Sequence, residues 1–132
     1  MTTLAPTRNA DLSRFADERH LLLTTFRKDG SPVATPVHVV TEGDVAYVRT
    51  FEPSGKMKRI RRDGDVEVAP STMRGRPTGW TSCAHARILE GAEAGHAAAL
   101  IAEKYPLLHG RLIPRFHRRR NLSTVHLELT AR

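Results

Sequence analysis

Between Leu21 and Thr50 three apolar runs are separated by two tight turns, and this spacing leaves the chain little choice of architecture. Leu21-Leu22-Leu23-Thr24-Thr25-Phe26 reads as a buried strand. The Asp29-Gly30 pair behind it is a hairpin signal, because glycine tolerates the positive φ that tight strand connections need. Val33 to Thr41 is β-branched and forms the returning strand, and Glu42-Gly43-Asp44 turns again into Val45–Thr50. Strands joined by so few residues must pair antiparallel, since a parallel crossover needs a dozen residues or more. The stretch is therefore a meander and excludes a βαβ unit.

The rest of the chain extends the same plan. Val66, Val68 and Pro70 alternate with Glu67 and Ala69 after Gly64, and a long strand is predicted from about Trp80 to Glu90. Val125, Leu127 and Leu129 alternate with Thr124, His126 and Glu128 in a closing strand. Leu12, Phe15 and Ala16 at helical spacing behind Asp11 predict a short helix over 11–19. Residues 92–105 are Ala-rich and helix-forming, and Pro106 stops them. The segment 107–121 is mostly basic and reads as irregular or partly helical. The prediction is a mainly β fold, a six-stranded antiparallel barrel with two or three flanking helices, because closure removes exposed strand edges. Residues 1–132 are expected to make a single domain, with 1–9 frayed.

Charge narrows the partners. The formal net charge is +7 at neutral pH, which favours anions: nucleic acid, a phosphorylated cofactor or an acidic small molecule. Cys83 is the only cysteine, so no intrachain disulfide can form and a reducing compartment is expected. No signal-peptide run and no membrane-spanning stretch is visible, so the expected location is cytoplasmic.

The charge is densest in Arg49-Thr50-Phe51-Glu52-Pro53-Ser54-Gly55-Lys56-Met57-Lys58-Arg59-Ile60-Arg61-Arg62-Asp63. Here the third strand turns through Glu-Pro into a short helix with Ser54 as N-cap. The free N–H groups and the dipole of such a helix start favour an anion. Lys56 lies in that first turn, while Met57 and Ile60 give the helix an apolar side with which to dock. Two readings stand: a phosphate cradle, and a basic surface helix.

Two blocks of this sequence carry a family resemblance. Leu-Thr-Thr-Phe-Arg-Lys-Asp-Gly-Ser-Pro-Val-Ala-Thr-Pro-Val (23–37), followed by Thr-Phe-Glu-Pro-Ser-Gly-Lys-Met-Lys-Arg-Ile-Arg-Arg-Asp (50–63), resembles the pyridoxamine-phosphate-oxidase-like, FMN-binding split-barrel superfamily. Within it the chain is similar to the deazaflavin-dependent oxidoreductases that use coenzyme F420. The resemblance implies a six-stranded split β-barrel, a homodimer, and a flavin or deazaflavin in a groove at the dimer interface. It places Thr50, Ser54 and Lys56 at the cofactor phosphate, with Gly55 standing where flavin-binding relatives carry arginine. That departure argues against flavin mononucleotide (FMN) and suits the deazaflavin branch. The ring is implied to lie along Thr35, Pro36, Val37 and His38, with His38 a ring contact or proton donor. Pro36 adds a physical argument, since proline cannot donate to a sheet ladder and marks an edge or an interruption.

Of Lys58 and Arg59, which are expected on different sides of the helix, one is implied to reach the phosphate or an acidic tail. Arg76 and Trp80, close to Arg74, Gly75 and Gly79, lie in a loop that relatives bring near the cofactor. Arg76 reads as an anion contact, and Trp80 either stacks on the ring or fills an interface or core. His85, Arg87, Arg61 and Arg62 read as surface groups, and Cys83 as buried packing without nucleophile context. No histidine spacing suggests a metal site. The cluster Arg115, His117, Arg118, Arg119 and Arg120 reads as a solvated loop, with a substrate groove or dimer rim as the alternative.

The expected function is an F420-dependent reductase transferring hydride to a planar conjugated small molecule. Within the family FMN, haem or a bilin could replace the deazaflavin. Outside it, a non-enzymatic basic barrel binding nucleic acid competes, but aromatics are only 5% of the chain and single-strand binders need exposed stacking platforms.

Overall fold

The structure, a computed structural model, describes residues 5–52, 55–106 and 123–132. Ser54 and the basic cluster Arg115–Arg120 lie outside the described residues, as does the whole of the segment 107–121. Six strands form a closed antiparallel barrel: β1 (His20–Phe26), β2 (Pro32–Glu42), β3 (Val45–Glu52), β4 (Asp65–Ser71), β5 (Ser82–Ile88) and β6 (Ser123–Ala131). Around the barrel the order is β1-β2-β3-β6-β5-β4. The predicted meander is β1-β2-β3, and its turns use Gly30 at φ 88° and Gly43 at φ 63°.

Alternation decides what faces inward. Leu21 and Leu23 of β1, Val37 and Val39 of β2, Val48 of β3, Val66 and Val68 of β4, and Leu127 and Leu129 of β6 fill the interior. Helix α1 (Gly55–Arg62) adds Met57 and Ile60 to that cluster, as its spacing predicts, and its charged residues stay outside. Helix α2 (Gly91–Lys104) covers the outer wall, packing Ala97 and Ile101, with Tyr105 beyond its end, on Val40, Tyr47 and Leu89. No helix among the described residues is long and apolar enough to cross a membrane.

Two elements are shorter than predicted. The helix expected over 11–19 is a single 3₁₀ turn, Leu12–Phe15, capped by Asp11 Oδ1 accepting from the Ser13 N–H at 2.8 Å. Leu12 and Phe15 are fully buried, but the carbonyls of Ala16 and Glu18 accept from Lys104 Nζ at 3.2 and 2.6 Å instead of continuing a helix. The strand expected from Trp80 to Glu90 spans Ser82–Ile88, because its ladder with β4 begins only at the Val68–Ser82 pair. At its far end Leu89 N–H donates to His126 O at 2.9 Å as the chain leaves for α2.

Candidate functional site

The barrel has a half-closed seam. Strand β2 pairs with β1 from Pro32 to His38, whereas its ladder with β3 runs only from His38 to Glu42. Beyond Arg49, strand β3 continues instead along β6 through Thr50, Phe51 and Glu52. Pro36 thus lies where β2 is paired on one side alone, as a residue without an N–H requires. A groove of about 470 Å³ opens along this parting. Thr35, Pro36, Val37 and His38 line it from β2, His20 from β1, Arg49, Thr50 and Phe51 from β3, Lys56 from α1, and Met73 from the β4–β5 loop. Among the described residues no carboxylate lines it.

Its electrostatics favour an anion. Arg49 is half-buried, and burial pulls its guanidinium pKa down to about 10, while its charge sits 5.3 Å from the Phe51 ring centroid. Lys56 is also held below its ordinary value, first by burial and then by Arg59. Among the described residues the Lys56 ammonium has neither a hydrogen-bond acceptor nor an ion-pair partner. A cation partly removed from water and lacking a counter-charge gains most from an incoming anion.

The histidines of the groove are neutral at physiological pH. His38 is lowered to about 4, chiefly by burial and then by His20, Arg49, Arg19 and Lys104. His20, whose Cα is paired across the ladder with that of His38, is lowered by burial and by Arg19. Their ring centroids are 4.9 Å apart, and on its other side His38 stacks on Tyr105. The Tyr105 hydroxyl lies 2.7 Å from Val39 O and 2.9 Å from Arg19 O, toward which it donates, and accepts from Val39 N–H at 3.3 Å. Lys104 Nζ reaches Val39 O at 2.8 Å. The end of α2 is thereby fastened behind the groove wall.

Of the residues singled out from sequence, Thr35, Pro36, Val37, His38, Thr50 and Lys56 come together here. Gly55 opens α1, next to Lys56. Lys58 and Arg59 do not line the groove. They line a separate hollow with Arg27, Lys28 and Arg62. Arg76 belongs to the β4–β5 loop, where Thr72 Oγ1 accepts from its N–H at 3.1 Å. That loop leans on the groove wall: a Cβ on Gly75, at φ 89°, would lie 3.5 Å from Pro36 Cδ. Trp80 is 51% exposed and lies outside this chain's groove, its ring covered by the Arg14 guanidinium at 3.6 Å. Phe51 is 38% exposed. Cys83 is buried, as predicted.

Sequence reasoning missed His20, Arg49, Phe51 and Met73 as lining residues, and Tyr105 and Lys104 as supports. Arg49 left a signal, a cation set directly behind the apolar run Val45-Ala46-Tyr47-Val48 and one position before Thr50. His20 and Tyr105 left none, since their places depend on strand register and helix docking.

Compared with known proteins, the chain matches no family model, and no curated protein sequence matches it. Solved structures do match. The haem storage protein HutZ of Vibrio cholerae superposes with a TM-score of 0.67 at 12% identity, over 96% of this chain and 91% of that one. A candidate pyridoxamine 5'-phosphate oxidase of Listeria innocua gives 0.62 at 18% identity, over 91% and 89%. An FAD-binding protein of Mesorhizobium loti gives 0.57 at 14% identity, over 89% and 82%. At such identities the likeness is one of fold: the chain is a six-stranded antiparallel split barrel, a fold it shares with these proteins.

Proposed function

We propose that the groove holds a flat, phosphate-bearing redox cofactor of the flavin class, and that this cofactor is the deazaflavin F420. The carrying observation is the Lys56 ammonium beside half-buried Arg49, in a groove where, among the described residues, Lys56 has no hydrogen-bond or ion-pair partner and no carboxylate is present. These residues fit an anionic ligand with a planar body: two cations and Thr50 for the phosphate, the one-sided stretch of β2 for the ring edge. Neighbours named as flavin-binding or as an oxidase support a flavin-class ligand, and Gly55 in place of arginine favours the deazaflavin over FMN.

When bound, such a ring supplies a hydride to an acceptor. The chain's own residues anchor and orient. Lys56 and Arg49 fix the anionic end, Pro36 and Val37 present an apolar wall that excludes water, and Met73 screens the mouth. His38, neutral at pH 7 because burial holds its pKa near 4, serves as a hydrogen-bonding group and not as an imidazolium acid. The reaction in this reading is reduction of a planar conjugated molecule. A second copy of the chain would complete the groove, and the exposed Met73 and Trp80 on the β4–β5 connection support that homodimer.

The test is a fluorescence titration of the purified protein with oxidised F420 and, separately, with FMN. The expected result is saturable binding with F420 preferred, weakened about tenfold or more in Lys56→Ala, in line with a lost charge-assisted contact. Tighter binding of FMN would transfer the site to a flavin. No saturable binding of either, or equal binding by the variant, overturns the assignment.

A further inference from the structure

A second concentration of charge lies apart from the groove. The β1–β2 hairpin and α1 enclose a hollow of about 440 Å³, lined by Arg27, Lys28, Lys58, Arg59 and Arg62. That volume falls within the range of small-ligand sites. Two of its arginines are already held in place: Arg59 Nε donates to Thr25 Oγ1 at 2.6 Å, and Arg62 donates to Phe26 O. Arg27 donates to Ser31 Oγ at 3.3 Å. Fixing these side chains in advance removes much of the ordering cost that makes ordinary surface arginines poor anion sites.

These cations have little counter-charge among the described residues. Among the described residues none of the five cations makes an ion pair with a carboxylate. The acid of the hairpin, Asp29, faces its own turn, where Oδ1 accepts from Ser31 N–H at 2.9 Å and from Ser31 Oγ at 2.7 Å. Like charges therefore crowd one another, and burial together with Arg27 and Arg62 lowers the pKa of Arg59. Arginine forks match the tetrahedral oxygens of phosphate, and the two lysines add mobile point charges.

We propose that the hollow between the β1–β2 hairpin and α1 is a second anion site, selective for a small ligand with adjacent phosphate groups. Five cations exceed what one phosphate can neutralise, which points to a di- or triphosphate. Among the described residues no aromatic ring lines the hollow, which leaves it without the stacking platform that a single-stranded nucleic acid uses. The site stands independently of the cofactor assigned to the groove.

The test is calorimetric titration of the full chain with inorganic tripolyphosphate at low ionic strength, for wild type, Lys28→Ala/Lys58→Ala and Lys56→Ala. Lys28 and Lys58 are exposed and leave the fold intact when shortened. The expected result is saturable binding that weakens about tenfold in the double variant and stays within about twofold in Lys56→Ala, in proportion to the contacts each removes. Absence of saturable binding overturns the proposal, as does a double variant that binds like wild type. Loss of binding in Lys56→Ala would move the anion to the groove and equally overturn it. Tighter binding per phosphate by a single-stranded oligonucleotide than by tripolyphosphate would replace it with a nucleic-acid interface.

Discussion

The imidazole of His38 lies against the phenol of Tyr105, centroids 4.5 Å apart and planes inclined by 25°. This contact joins the wall of the groove to the end of α2. Tyr105 is 5% exposed and holds the backbone of Val39 through its hydroxyl. Tyr105→Phe keeps the stack and removes the hydroxyl, so Val39 N–H and Arg19 O lose that contact while Val39 O keeps Lys104 Nζ. The expected loss is about 1–3 kcal/mol, read by urea denaturation. Tyr105→Ala also empties the space and is expected to cost about 3–5 kcal/mol. Equal stabilities for the two variants would contradict this division.

Acid should loosen the protein through its histidines. His38 titrates near 4 in the fold against an ordinary value of 6.5, so the unfolded chain binds the extra proton first. Stability is then fully present above pH 6.5, declines as pH falls from there to about 4, and levels off below that for this group. His20 and His126 are lowered too, both chiefly by burial, and act in the same direction. Denaturation midpoints between pH 7.5 and 4.5 check the slope, which His38→Gln is expected to flatten. An unchanged slope in that variant would remove His38 as its source.

Lys104 behaves as a structural cation. Its ammonium donates to Ala16 O, Glu18 O and Val39 O at 3.2, 2.6 and 2.8 Å, tying the 3₁₀ turn, the entry to β1 and β2 to one point. Lys104→Met keeps the stem and strips the donors. The expected destabilisation is about 1.5–3 kcal/mol, as for hydrogen bonds from a charged group. A thermal melt that coincides with wild type would show that water replaces the ammonium without loss.

Two glycines should respond oppositely to a methyl group. A Cβ on Gly64 would stand 2.8 Å from the backbone oxygen of Ala86, which cannot swing aside. Gly64→Ala is expected to cost about 1–3 kcal/mol. Gly95 lies within α2 with open space around it, so Gly95→Ala is expected to stabilise by about 0.5–1 kcal/mol. Parallel chemical denaturation of the two variants reads both signs at once.

Much of this was legible because it is local. Turn glycines and alternating valines specify the meander, and the Met57–Ile60 spacing specifies how α1 docks. Pro36 announced the seam, since a missing N–H restricts where a strand can pair. What escaped depends on distant chain. His20 meets His38 only once the register of β1 on β2 is set, and Tyr105 reaches them from a helix nearly seventy residues on in sequence. The helix over 11–19 was overestimated because its spacing gives no sign that a lysine ninety residues away takes two of its carbonyls. Lys58 and Arg59 were assigned by nearness to Lys56, yet the turn of the helix carries them toward the hairpin.

The parting of β2 from β3 has a kinetic meaning. Backbone groups of residues 33–37 on that flank have no ladder to lock them, so their amide protons should trade with deuterium sooner than those of 39–41. A molecule settling into the seam would slow that exchange, which makes the strand its own reporter of occupancy.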